Sequence, residues 1–292
     1  MYSRVLFLSV LISLLVFSFG QEAEVQNTPS SIQNEVGASR KHRFFFYWGY
    51  NRANYSSSNI HFKGDGYNFT LNDVKAKDRQ SKFDLAYALP QYITIPQYDY
   101  RLGYYLKNNW VLSLGFDHMK YVMVSEQDVT IDGHIDKAYD DEFDGQFNDA
   151  PFHIDPDFLM LEHTNGLNYI NMHLDKNFIL WDGGKSDFEL QTAVGAGIGF
   201  MFPKSDVTLM NNDRNDQWHI AGYGLSAVGN LRITFKGLLF LEYNVKPGFI
   251  HMPSILTTAN KSDRADQSFF FLQRMGVFGV NFRLGKKESA NN

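Results

Sequence analysis

The sequence predicts an all-β protein, an antiparallel up-and-down transmembrane β-barrel of about eight strands. Three observations lead there. From Arg43 onward, runs of about 10 to 16 residues with alternating apolar positions are separated by turns that alternate between very short and long. Aromatic residues make up 16% of the 292 residues, with 26 Phe and 16 Tyr. Mean hydropathy is nonetheless −0.31, a pairing that suits aromatic girdles with polar loops better than a soluble core. After residue 20, no window approaches the ~18 consecutive apolar residues of a membrane helix, so any crossing must be made by strands.

The N-terminus reads as a secretory signal peptide. Arg4 supplies the positive charge, and an apolar run from Val5 to Phe19 follows. Ser18 and Gly20 are the small residues before a cut at Gly20/Gln21. Residues 21–42 read as a polar periplasmic lead, 43–285 as the barrel and 286–292 as a short tail. No cysteine is present, which excludes a lipoprotein anchor and a disulfide framework. A net charge of −5 gives no reason to expect nucleic acid as a partner.

The expected strands follow in order. The first is Arg43 to Tyr55, with Phe44, Phe46, Trp48 and Tyr50 on one face. A long polar stretch with a weaker strand pattern near Phe69–Val74 precedes the second, Gln97 to Lys107. Asn108-Asn109 then makes a tight turn, since Asn tolerates positive φ. The third strand is Trp110 to Met123, followed by an acidic loop. The fourth, about Leu159 to Asp175, alternates imperfectly, which points to a bulge. The fifth is Phe188 to Phe202 and the sixth His219 to Phe235; Lys236-Gly237 turns into the seventh, Leu238 to Met252. The eighth is Ser268 to Leu284. A hairpin hidden in the first long loop would raise the count to ten.

The opposing faces are rich in Gly, Ser, Asn and Gln with a few opposite charges, such as Asp99 with Arg101 and Glu242 with Lys246. That composition fits a narrow interior that side chains fill. A solvated outer face would carry more Lys and Glu. The expected lumen network comprises Asp99, Arg101, Asp117, Glu189, Arg232, Glu242 and Lys246.

The last strand carries a resemblance. Gly279-Val280-Asn281-Phe282-Arg283-Leu284 resembles the terminal signal of bacterial outer-membrane barrels. It departs from that signal at Val277, where a polar residue is usual, and in the residues that trail it. The whole layout over 43–284 resembles small outer-membrane barrels of Gram-negative bacteria, and the uncharacterised ones of Bacteroidota. The resemblance implies insertion by the barrel-assembly machinery and contact with outer-membrane lipids and lipopolysaccharide. It implies no cofactor.

Candidate binding residues cluster at the expected outer rim: His61, Asp65, Asp78, Arg79, His118, Glu162 and His163. Neighbours on a strand point to opposite faces, so Asp117-His118 and Glu162-His163 can each send one member inward. The acids of 126–157 include Asp140, Glu142 and Asp144 before Gly145, resembling a calcium loop, but the twelfth position is Pro151 and the motif fails. That segment is expected to be a solvated loop. No nucleophile elbow, zinc-protease helix or phosphate loop is present, so no catalytic or metal residue is assigned. The expected role is structural or surface binding and adhesion through long outer loops. The alternatives are a narrow passive channel, a lipid A or phospholipid-modifying enzyme with Ser, His and a carboxylate at the rim, and a secreted soluble barrel carrying an apolar ligand.

Overall fold

The computed structural model describes residues 41–284, except 83–84, 88–91, 93–95, 185 and 211. The expected signal peptide, most of the polar lead and the C-terminal tail lie outside the described residues. The described chain is built of antiparallel strands: β1 (Phe44–Tyr55), β2 (Ser58–Gly64), β3 (Tyr67–Val74), β4 (Ala76–Lys77), β5 (Tyr98–Tyr105), β6 (Trp110–Met123), β7 (Gln127–Ile135) and β8 (Gly145–Ile154). They continue with β9 (Leu159–Trp181), β10 (Phe188–Met201), β11 (Lys204–Leu209), β12 (Asn215–Trp218), β13 (Gly222–Phe235), β14 (Leu239–Leu256) and β15 (Arg264–Phe282).

Eight strands close a ring in the order β1-β5-β6-β9-β10-β13-β14-β15, with β15 pairing back onto β1. These are the eight strands expected from the sequence. Tight turns join them at one end. Asn108 and Asn109 have φ of 55° and 61°, and Lys236 and Gly237 have φ of 51° and 63°, the left-handed pair that a two-residue hairpin needs.

Cross-strand partners can be followed once round the ring, from Phe278 through Trp48, Tyr100, Phe116, Ile170, Phe200, Tyr223 and His251. The path returns to β15 at Ser268, a shear of ten residues (278 to 268). With strands about 4.8 Å apart and about 3.3 Å per residue, a shear of ten over eight strands tilts them by about 40°. Outward side chains from Trp110 to Lys120 then climb about 25 Å, the height of a hydrocarbon band. From Trp110 to Phe116 on β6, and at that height on β14 and β15, the outward residues are apolar and bare: Leu114 is 60% exposed, Leu241 62% and Phe278 61%. Their inward neighbours Ser113, Asp117, Glu242 and Lys246 are buried. The ring is a closed eight-stranded barrel with a bare apolar band outside and a filled polar lumen.

Above the band the faces exchange roles. On β6 the inward Met119, Tyr121 and Met123 are buried, while Lys120 points out. On β14 the inward residues change from Glu242, Asn244 and Lys246 to Ile250 and Met252. These side chains join one apolar core with Ile60, Phe62, Phe69, Ile131, Phe158 and Phe269. That core belongs to a head of short strands. β2 pairs with the upper end of β15, and the sheet continues through β3 and β7 to β8. On the far side β11 extends from the upper end of β9 and pairs with β12. β4 pairs with the top of β6.

One expectation needs correction, and two others find their place. Residues 126–157 are the β7–β8 hairpin and its flanks, not a solvated loop: Val129 and Ile131 are buried against the head core, while Asp128 and Asp132 face outward. The first loop does hold a hairpin, β2–β3, but it joins the head and leaves the ring at eight strands. The irregular fourth strand has a register shift against β6 between Met119 and Tyr121, near Gly166 at φ +132°, which is the bulge.

Candidate functional site

The alternation of β1, β5, β6, β9, β13, β14 and β15 aims a connected set of polar groups into the lumen. Lys246 Nζ donates to Asp117 Oδ2 at 2.6 Å, and Asn171 Nδ2 donates to the same oxygen at 2.9 Å. Arg101 spreads its donors over Tyr47 Oη at 3.1 Å, Ser113 Oγ at 3.0 Å and Asn171 Oδ1 at 2.5 Å. Its Nη2 stands 3.9 Å from Asp117 Oδ1. Asp99 Oδ1 accepts from Asn51 at 3.1 Å and Gln273 at 2.9 Å. Arg232 Nε donates to Glu242 at 2.5 Å, and its guanidinium lies 3.9 Å from the Phe240 ring centroid and 4.8 Å from that of Phe45.

The charge partners therefore differ from the same-strand pairs read in sequence. Lys246 bonds Asp117 and Arg232 bonds Glu242, because pairs across the lumen or between adjacent strands bring head groups together. Same-strand residues with inward side chains stand side by side along the barrel wall. Glu189 is half-buried at the start of β10, opposite Thr234. The remaining cavity among Arg101, His173, Arg232 and Lys246 holds about 20 Å³, room for about one water.

One arrangement in the lumen escaped sequence reasoning. His173 Nε2 meets Ser226 Oγ at 2.9 Å, and its Nδ1 lies 3.7 Å from Asp175 Oδ1. Gly197 makes room, since a Cβ there would stand 2.1 Å from the His173 ring. The composition is that of a hydrolase triad, but 3.7 Å is too long for the orienting hydrogen bond. The lumen cavity that His173 and Asp175 border holds about 20 Å³, too small for an acyl group. They serve as lumen packing.

The outer rim gathers some of the predicted residues and disperses others. Arg79 pairs with Glu162 at 2.8 Å beside Lys120 and Arg214, around an open groove of about 480 Å³. Asp78 accepts from Ala53 N at 3.2 Å and from Gln97, filling the gap above the short β5. Burial raises the Asp78 carboxyl above its usual range, opposed by those hydrogen bonds. His61 bonds Asn68 at 2.7 Å within the β2–β3 hairpin, whose turn is Asp65-Gly66. His163 faces the head core, fully buried 5.5 Å from the Tyr121 ring. His118 faces outward, stacks on Tyr98 at 4.7 Å and bonds Asn168 at 2.8 Å. The two histidines lie on opposite sides of the wall and form no common site.

Farther out, His153 on β8 sits between Asp128 at 2.7 Å and Glu126 at 3.4 Å. Hydrogen bonds to Asp128 and then Glu126 raise its pKa above the ordinary imidazole value. The acids flanking this hairpin form turns: Asp140 caps the backbone of Glu142 and Phe143, and Asp155 that of Asp157 and Phe158.

No protein-family profile matches the sequence, and no curated protein matches it. Among solved structures it is similar to the outer membrane protein OprG from Pseudomonas aeruginosa, at 12% identity and a TM-score of 0.36 over 84% of this chain and 98% of that one. It is similar to Neisserial surface protein A at 8% identity and a TM-score of 0.34, over 82% and 97% of the two chains. It is also similar to Ail, the attachment invasion locus protein of Yersinia pestis, at 9% identity and a TM-score of 0.29, over 83% and 99%.

Proposed function

We propose that this protein is a non-conducting barrel of the bacterial outer membrane that holds a rigid β-rich head above the surface for binding. The observation that carries this reading is the continuous filling of the interior. Phe45, Tyr105, Val111 and Phe240 pack toward the periplasmic end, the charged network occupies the middle, and the head core caps the top. A porin needs about twice as many strands to leave an aqueous channel. The expected export signal and the C-terminal strand motif support an outer-membrane location. The same features support assembly by the barrel-insertion machinery.

Planar-bilayer recording of the purified barrel tests the closed lumen: no steps above the bare-bilayer baseline are expected. Reproducible unitary conductance would favour the passive channel. Binding is tested by applying the intact barrel in nanodiscs to host-matrix and glycan arrays. Retention that depends on β7–β8 supports the role, and indifference to deletion of that hairpin counts against it.

A further inference from the structure

Two arginines stand where a lipid-facing wall should carry none. Arg52 on β1 and Arg274 on β15 are direct cross-strand partners on the outward face. Arg274 is also paired with Val245 on β14, and on the extracellular side of it the outward face of β15 continues through Leu272 and Phe270. Like charges placed opposite each other repel, and a cation on the lipid face is costly. Among the described residues, the hydrogen bonds of both guanidiniums go to neutral oxygens. Arg52 donates to Tyr87 Oη at 2.7 Å and to the Asn51 carbonyl at 2.8 Å, and Arg274 donates to Asn54. Neither makes an ion pair within the described chain.

The surroundings have the shape of a lipid site. Gly276 follows Arg274 on the same face, and nothing lies within 4 Å of where its Cβ would project, which leaves a dent in the wall. Tyr50 and Tyr243 are its partners on either side. Beside them runs a bank of near-parallel rings: Trp48 on Tyr98 at 5.1 Å, and Tyr100 on Phe116 at 5.2 Å. The Tyr87 hydroxyl and the Tyr50 bond to the Tyr87 carbonyl at 2.7 Å hold Arg52 at the top of this bank.

We propose that Arg52 and Arg274 clamp a phosphate of an outer-leaflet lipid, whose apolar body lies over Gly276 and the aromatic bank. A phosphate accepts paired donors from each guanidinium and cancels their repulsion. A free anion would not enter an apolar band, so the phosphate arrives on a lipid. The clamp rests on the outer-membrane barrel reading above.

The test uses the full barrel in dodecyl maltoside, titrated with bis-phosphorylated lipid A and with the same lipid stripped of phosphate, bound lipid being counted by native mass spectrometry. Wild type is expected to retain one phosphorylated lipid. Arg52→Gln/Arg274→Gln should bind it at least tenfold more weakly, and the stripped lipid should bind both proteins equally weakly. Without lipid, the double variant should unfold at the same or a higher temperature than wild type, because the repulsion is gone. Equal retention by both proteins, or of both lipids, overturns the clamp. Both proteins are also run cold and boiled on gels and inserted into phosphatidylcholine vesicles. A wild type that shows no heat shift and no insertion overturns the barrel reading and the clamp with it. An inserted barrel indifferent to phosphate overturns the clamp alone.

Discussion

Replacing Asp117 by Ala removes the carboxylate on which the lumen network converges. Lys246 loses its 2.6 Å ion pair, Asn171 loses an acceptor at 2.9 Å, and Arg101 loses a carboxylate 3.9 Å away. Lys246 and Arg101 then face each other across a lumen with room for about one water. Breaking a buried ion pair on one side costs about 3–5 kcal/mol. That lowers the folding equilibrium constant by roughly a hundredfold to several thousandfold. The assay is reversible urea unfolding in phosphatidylcholine vesicles, followed through the intrinsic fluorescence of the four tryptophans. Pairing Asp117→Leu with Lys246→Met removes both charges and should recover much of the loss, since an apolar replacement of a whole buried pair is often neutral. The reasoning fails if the single variant stays within about 0.5 kcal/mol of wild type, or if the double variant is no better than the sum of the singles.

Phe269 is buried against Tyr121 at 4.9 Å in the head core; Phe269→Ala should cost about 3–5 kcal/mol and speed proteolysis of the head, and unchanged cleavage would count against the packing described. Gly133 has φ +116°, and a Cβ there would lie 2.1 Å from the Asn68 carbonyl oxygen, so Gly133→Ala should expose amides of the β3–β7 ladder to hydrogen exchange while leaving the membrane strands protected. His153 is raised by Asp128 and Glu126, so its charged form is favoured in the fold. That interaction is present below the ordinary imidazole pKa and is lost as pH rises through the folded value. An NMR titration should place the His153 midpoint above 6.5 and Asp128→Asn should lower it; an unmoved midpoint would refute the contact.

The eight ring strands were legible because lipid and lumen impose opposite demands on alternate residues, as Leu112, Leu114 and Phe116 against Ser113, Gly115 and Asp117 show. The head was harder to read. In β7, Val129 and Ile131 alternate with Asp128, Thr130 and Asp132, a pattern short enough to be hidden among the many acids of that stretch. The polarity of a strand face also reverses along β6 and β14, and a fixed inside-outside assignment misses that change. Lumen partners such as Asp117 with Lys246, and the outward pair Arg52 with Arg274, depend on which strands become neighbours and in what register. No single strand contains that information.

The exchange of faces along β6 is the feature on which the membrane band, the filled lumen and the head all depend. The chain has no cysteine, so single cysteines can be placed from Trp110 to Met123 and spin-labelled in lipid vesicles. Collision with oxygen and with a water-soluble nickel chelate is then measured at each site. Oxygen access should peak at positions 112, 114 and 116, chelate access should take over at 120 and 122, and 113, 117, 119 and 121 should be shielded from both. Oxygen-dominated peaks continuing through 122, or chelate access at 113 and 117, would contradict the closed barrel with a packed head.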